Sequence, residues 1–524
     1  MSSAATEGGE ALSQRRIWLA FAGLVLAIFM ATLDQSIVNP ALPTIVGDLH
    51  GLQEMQWVVT GYLLASTIVL PLYGKLGDLL GRKYLFLFAI AVFLLGSMLT
   101  GLSRNMTELI GFRALQGVGA GGLFIGAMAI SADLVSPRQR AKYLGIIMAV
   151  NTISTVAGPL VGGLFTDTIS WRWCFYVNVP IGIAALLVAW LTLESPRARP
   201  QFRLDLLGSV LIAAAAACLV FLTSWGGTKY DWGSWQIIGL GAGFAVAAVS
   251  FVLAERRASE PVVPLRLFKD RTFTLAGLVA LAAGFCMFGT IAFLPTFLQI
   301  VDGVSATQSG LLMLPLIGGL LVSSIGSGRL VSATGHYKVF MVAGTAIGAV
   351  GMALLSFMGA DSTWVWNGLA MAVTGFGMGL VLPLLTTAVQ NAAPRHDLGT
   401  ATSTNTFFRQ IGGSLGTAVV GTIFTTRLTS ALASDLPRGV SLPVPNINAI
   451  TPALVHGLPP ALRDVFVHAY ATALPPIFLY LAPVLVAAFV VTWFLKDIPL
   501  RSGPAPVEVP EERAPAAQEA KPAA

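Results

Sequence analysis

The stretch GKLGDLLGRKYLF, Gly74 to Phe86, returns in outline 254 residues later, where Gly74, Leu76, Gly81 and Phe86 have counterparts in Gly328, Leu330, Gly335 and Phe340. The same offset carries Gly145, Asn151, Thr152 and Gly158 onto Gly399, Asn405, Thr406 and Gly412. An offset of 252 carries Ala41-Leu42-Pro43-Thr44 onto Phe293-Leu294-Pro295-Thr296. A self-similarity of this period means two copies of one folding unit. Any architecture assigned to the chain must accommodate that duplication.

The unit is helical and membrane-embedded. With 55% apolar and 11% charged residues, the chain has too few charges to cover a water-soluble surface. A hydrocarbon core of about 30 Å needs about 20 apolar residues per helix. Such runs fall at 17–44, 55–75, 84–103, 107–133, 139–165, 175–194, 204–225, 233–254, 272–300, 306–331, 338–358, 364–391, 398–427 and 470–496. The first six and last six form the two copies, and 204–254 is an insertion between them. The expected fold is therefore an all-α membrane protein of fourteen transmembrane helices, two six-helix bundles plus two inserted helices.

The domain division follows. Residues 1–16 form a polar N-terminal tail, 17–200 the first bundle, 201–258 the insertion, and 259–497 the second bundle, with an external loop near 428–469. A Pro-, Ala- and Glu-rich tail over 498–524 is expected to be disordered. An amphipathic helix is expected near Ala461 to Tyr470 within the external loop. The polar start precedes a full-length span, which reads as a tail and not a cleaved leader.

An even number of spans puts both termini on one side. If that side is the cytoplasm, Arg15, Arg16, Lys75, Arg82, Lys83, Arg138, Arg140 and most other basic residues face inward. Arg104, Arg172, Lys229, Arg427, Arg438 and Arg463 fall outside. The positive-inside rule thus predicts a multi-pass protein of the cell inner membrane with cytoplasmic termini.

Charges within the spans need a reason, because an acid at a helix centre costs about 2.5–3.5 kcal/mol on insertion scales. Asp34 is the one clear mid-span acid, in LDQSIVNPALP. A low-dielectric setting favours the neutral form of a carboxyl group, which makes Asp34 the candidate proton carrier and partner for a cationic ligand. Arg113, in RALQGVGAGGL, is a permanent cation that must face the protein interior or a water-filled cavity. The two are not expected to touch unless the cavity closes. Arg409, in FFRQIGG, is the other mid-span base, and its role is open between packing and function.

Glycine patterning marks two further places. Gly74 and Gly77 leave room for helix ends to approach, Asp78 offers a carboxylate to a base or a helix N-terminus, and Gly81 permits a tight turn. In AGPLVGGLF, Gly158, Gly162 and Gly163 are expected to admit a neighbouring helix, and Pro159 removes one backbone hydrogen bond. In the second copy Asp78 is replaced by Ser332, so the acid of the first loop is lost there.

The Gly74–Phe86 loop resembles the signature loop between helices 2 and 3 of the major facilitator superfamily. The surroundings of Asp34 and the AGPLVGGLF run resemble the helix-1 and antiporter motifs of its fourteen-helix drug:proton antiporters. RALQGVGAGGL resembles the helix-4 motif, and Arg409 a recurrent helix-13 feature. This resemblance implies a multidrug-efflux antiporter, with Asp34 and Arg113 in proton coupling. It also implies a charge cluster of Asp78, Arg82, Asp133, Arg138 and Arg140 that locks the outward-facing state.

A substrate cavity is expected between the halves, lined by Gln35, Asn39, Gln116, Asn151, Phe285, Met287, Phe288, Phe293 and Phe297. A single buried carboxylate predicts lipophilic substrates that are neutral or monovalent cations, exchanged for protons, with a monomer as the working unit. Export of an endogenous secondary metabolite, siderophore or lipid is the alternative cargo, and a non-transporting membrane sensor the alternative class. No GxxxxGK[ST] loop is present, Cys174, Cys218 and Cys286 show no metal or disulfide spacing, and no cofactor, metal, enzymatic or nucleic-acid role is expected.

Overall fold

The computed structural model describes residues 14–49, 54–194, 205–227, 229–258, 260–435 and 452–500. The start of the N-terminal tail, the tail from Arg501 and the middle of the external loop lie outside the described residues.

Each expected span is a helix. They are α1 Gln14–Leu49, α2 Met55–Leu80, α3 Arg82–Leu102, α4 Met106–Leu134, α5 Pro137–Thr168, α6 Asn178–Thr192, α7 Leu206–Trp225 and α8 Trp235–Glu255. The second copy supplies α9 Arg271–Val301, α10 Leu314–Thr334, α11 Lys338–Leu355, α12 Trp364–Ala392, α13 Leu398–Asp435 and α14 Pro475–Trp493. Among the described residues, 13 helices are long and apolar enough to cross a membrane. The fourteenth, α13, is rich in Thr, Ser and Gly and carries Arg409, so its apolarity falls short although its 38 residues are ample. It packs against α9 and α2 within the protein, where polar side chains find partners. Trp18, Trp190 and Trp493 near one end, and Trp173, Trp235 and Trp364 near the other, stand exposed where aromatic belts meet the headgroups.

The duplication is visible in backbone detail. Gly81 and Gly335, one offset apart, both take positive φ, 97° and 81°, where α2 gives way to α3 and α10 to α11. A side-chain carbon on Gly399 would lie 2.6 Å from the Gly74 carbonyl, and one on Gly145 would lie 2.6 Å from that of Ser324. Thus α2 meets α13, and α5 meets α10, through quasi-equivalent close approaches. Gly77 is different: a carbon there would meet only the Arg82 and Leu85 side chains, at 3.6 and 3.8 Å, ordinary contact distances, so Gly77 is not required for helix approach.

These contacts lie at the end of the bundle that carries the Gly81 turn, called here the loop end. Asp78 Oδ1 accepts the Gly399 N–H at 3.0 Å, and its Oδ2 accepts the Thr400 N–H at 2.8 Å. Those donors are unpaired groups of the first turn of α13, and an anion suits the positive end of that helix. Arg82 joins Asp78 to Asp133, at 2.6 Å to each. Arg138 donates to the carbonyls of Ser332 and Ala333 at the end of α10, and Arg140 to that of Ala132. The expected cluster is therefore two contacts: a carboxylate–guanidinium chain through Arg82, and a separate grip by Arg138 on carbonyls of the opposite half.

The inserted α7 and α8 pack on each other, and α7 also contacts α2 and α13. Lys75, in the repeated loop, pairs with Glu260 at 2.7 Å and so ties the linker after α8 to the loop end. A helix at Pro460–Ala473 covers the expected amphipathic segment, with Phe466, Ala469, Tyr470 and Ala473 turned inward.

Candidate functional site

Five helices of the first bundle converge on Asp34. Its side chain is fully buried. Arg113 Nη1 donates to Asp34 Oδ2 at 2.6 Å, while Gln116 Nε2 and Asn178 Nδ2 donate to Oδ1 at 2.8 and 2.7 Å. Arg113 also donates to Gln116 Oε1 at 2.8 Å, and its guanidinium lies 4.2 Å from the Tyr62 ring centre. Asn178 reaches on to Ser97 Oγ at 2.9 Å. Within a low-dielectric bundle such charge-assisted bonds are strong, and losing one partner strands the other.

This geometry corrects two expectations. Asp34 and Arg113 are in direct contact, because the i,i+3 spacing of Arg113 and Gln116 on α4 presents both toward α1. Asp34 is sealed from both ends in this state and offers no free charge to a cationic ligand. Asn178 and Ser97 were not anticipated; an amide at the head of the apolar α6 run was the available signal.

A cavity of about 1130 Å³ lies between the halves. Its lining comes from the halves of α1, α2, α7, α9 and α13 remote from the loop end, and extends to Gly227 and Trp232 beyond the end of α7. The bundle is thus closed at the loop end and hollow toward the far end. Of the expected lining, Gln35, Asn39, Phe288 and Phe293 are present. Gln116 is spent on Asp34, and Asn151 donates to Thr32 at the α1–α5 contact. Phe285, Met287 and Phe297 pack into the core of the second bundle. Met287 and Phe297 fail because they occupy other helical faces of α9 than 288, 292 and 296, whereas Phe285 shares that face but lies about a turn nearer the loop end than the first lining residue, Phe288.

The unforeseen walls are α7 and α13. Thr223 and Ser414 are hydrogen-bonded to each other at 2.6 Å, and Gln410, Thr417, Thr422 and Tyr470 continue the polar lining. No charged side chain lines the cavity among the described residues.

The glycine run of α5 rests on α1 beside the network. A side chain on Gly158 would strike Ser36, and one on Gly162 the Ile37 carbonyl, while one on Gly163 would meet nothing within 4 Å. Gly163 is therefore no part of the seal. Pro159 lies inside α5 with an exposed side chain, and Ser36 Oγ donates to the Ser154 carbonyl at 3.1 Å. Arg409 approaches the Phe124 ring centre at 5.4 Å.

A duplicated pair of six-helix bundles, shut at one end with a cavity toward the other and a buried ion pair alongside, defines a membrane transporter. The Major Facilitator Superfamily profile matches residues 24–417, and the chain belongs to that family. It is 44% identical over 493 residues to an uncharacterized MFS-type transporter of Mycobacterium tuberculosis, covering 94% of this chain and 71% of that one. It is 40% identical over 431 residues to the multidrug transporter protein MdtP of Bacillus subtilis, covering 82% and 80%. The crystal structure of the human organic anion transporter MFSD10 superposes with a TM-score of 0.62 at 15% identity, covering 92% of this chain and 99% of that one, and so shares its fold.

Proposed function

We propose that this chain is a proton-coupled antiporter that exports lipophilic compounds by alternating access, with Asp34 as the proton carrier. The observation that carries the reading is the Asp34–Arg113 contact, one residue from cavity-lining Gln35. Similarity to relatives named as multidrug transporters supports the efflux direction. The concentration of basic residues at the loop end supports a cytoplasmic position for it in the cell membrane. The described conformation is then outward-facing.

In that conformation Asp34 is locked, so proton exchange belongs to a step in which α1 and α4 separate. Protonation cancels the attraction between Asp34 and Arg113 and releases α1, which α5 contacts through Gly158 and Gly162. Transition to the inward-facing state then delivers the proton to the cytoplasm. The uncharged, hydroxyl-rich lining suits neutral substrates, whereas the expected role of Asp34 in binding cations requires the ion pair to open first.

The test is substrate-dependent proton movement in proteoliposomes of the full chain, with lipophilic neutral antibiotics and cations as cargo. Wild type should release protons on substrate addition and Asp34→Asn should not. An Asp34→Asn protein that still couples export to protons removes Asp34 from the mechanism.

A further inference from the structure

Arg409 is a cation without a counter-charge. It makes no ion pair and donates no hydrogen bond among the described residues, and its guanidinium lies 5.4 Å from the centre of the Phe124 ring on the opposite half. The only mid-span acid, Asp34, is already bound at both oxygens by Arg113, Gln116 and Asn178. Among the described residues, the middle of the spans therefore holds two guanidinium groups, Arg113 and Arg409, and one carboxylate. One positive charge is left over, and it lies where the two halves face each other.

Its position is that of a binding group. Gln410, the next residue, and Gly413, one turn on, line the cavity. Arg409 sits eleven residues into α13, about 16 Å along the helix from the closed end, beside the cavity-lining Gln410 and just outside the lining itself. The side chain is only partly buried. A permanent charge at membrane depth is costly unless it is paired or wetted. The planar guanidinium matches a carboxylate in bidentate geometry.

We propose that Arg409 is a specificity-determining residue that receives the anionic group of a lipophilic monoanion, a carboxylate being the best fit. The hydrophobic body of the ligand then extends into the cavity toward Phe288, Phe293 and Trp232. This inference rests on the export reading for its physiological sense, but its test is a binding measurement that does not depend on transport.

The full chain in nanodiscs is titrated with a naphthyl-alkyl carboxylate and with its methyl ester, and binding is followed by quenching of tryptophan fluorescence. Wild type should bind the carboxylate at least about tenfold more tightly than the ester, as a charge-assisted pair implies. Arg409→Gln should abolish that preference while leaving ester binding within about twofold. Arg409→Lys should keep a preference for the carboxylate at reduced size, and it decides the matter if the glutamine variant does not assemble. Equal carboxylate and ester affinities in wild type, or an undiminished preference in Arg409→Gln, overturn the proposal. Proton-driven uptake of the ester into proteoliposomes, measured separately, tests the export reading: its failure alongside intact carboxylate preference would remove the transport function and leave the anion site standing.

Discussion

Arg138 Nε donates to the carbonyl of Ser332 at 2.6 Å, across the boundary between the two halves. By the 254-residue offset, Ser332 occupies the place of Asp78 in the first copy. The two quasi-equivalent contacts at the closed end therefore use opposite chemistry. In one, an anion from α2 holds the amide groups that begin α13; in the other, a cation from α5 holds the carbonyls that end α10. Each charge matches the sign of the helix terminus it meets. An acid lost by the second copy has been replaced by a base from the first.

These contacts should be unequal in strength. Asp78 accepts two backbone N–H bonds and the Thr400 hydroxyl, in addition to pairing with Arg82, whereas Arg138 is the more exposed group. Asp78→Asn should raise the population open at the loop end by about tenfold, and Arg138→Ala by less, since a charge-assisted bond is worth about 1.5–3 kcal/mol. Ser403→Cys, whose position abuts Gly74, reports this as faster labelling by a membrane-impermeant maleimide from the side of the loop end. Unchanged labelling in both variants would show that the closed end is held by packing alone.

The α5 glycines separate cleanly. Gly158→Ala must displace Ser36 or the α1 backbone, and it should lower stability by about 1–3 kcal/mol, as overpacking does, and slow transport. Gly163→Ala meets open space and, at a half-buried helix position, should be neutral or slightly stabilising. Thermal unfolding and transport rate of the two alanine variants, compared directly, check this. Equal losses at both positions would mean that the run acts through helix flexibility and not through contact with α1.

Much of the fold was legible because its signals are periodic and strong: apolar runs of membrane length, a repeated loop, and basic residues sorted to one side. The charged centre was half legible. Asp34 and Arg113 stand out as ions in apolar runs, but their contact depends on how α4 is rotated against α1, which span assignment does not reveal. Asn178 escaped because one amide at the start of a span resembles an ordinary interfacial residue. The cavity lining was the least legible part. Aromatic and methionine side chains such as Phe297 and Met287 pack cores and line pockets alike, and the inserted α7 showed no chemistry until it was placed against α13.

That placement makes the insertion part of the cavity wall. Thr223 on α7 faces the cavity and shares a hydrogen bond with Ser414 on α13. Thr223→Trp would fill cavity space without touching the Asp34 network. It should weaken substrate binding by about tenfold or more, consistent with a lost pocket contact of about 1–3 kcal/mol, while leaving the melting temperature close to wild type. Binding titration and thermal unfolding of the same preparation distinguish a blocked path from a damaged fold. Undiminished affinity would place the substrate elsewhere and return α7 to a scaffolding role.

The Asp34–Arg113 pair makes the sharpest energetic claim, because neither group reaches solvent in this state. Arg113→Gln leaves a buried carboxylate held only by amides, and Asp34→Asn leaves a buried guanidinium over the Tyr62 ring. Each single change should destabilise this form, closed at the loop end, by about 3–5 kcal/mol, since a stranded buried charge is worse than none. The double variant removes both charges and keeps hydrogen-bonding amides of similar shape, so it should be more stable than either single one. A double-mutant cycle on detergent unfolding should then give a coupling at least as large as the smaller single loss, about 3 kcal/mol or more. Additive losses would mean that the two groups do not sense each other, and protonation of Asp34 would then have no means of releasing Arg113 and α1.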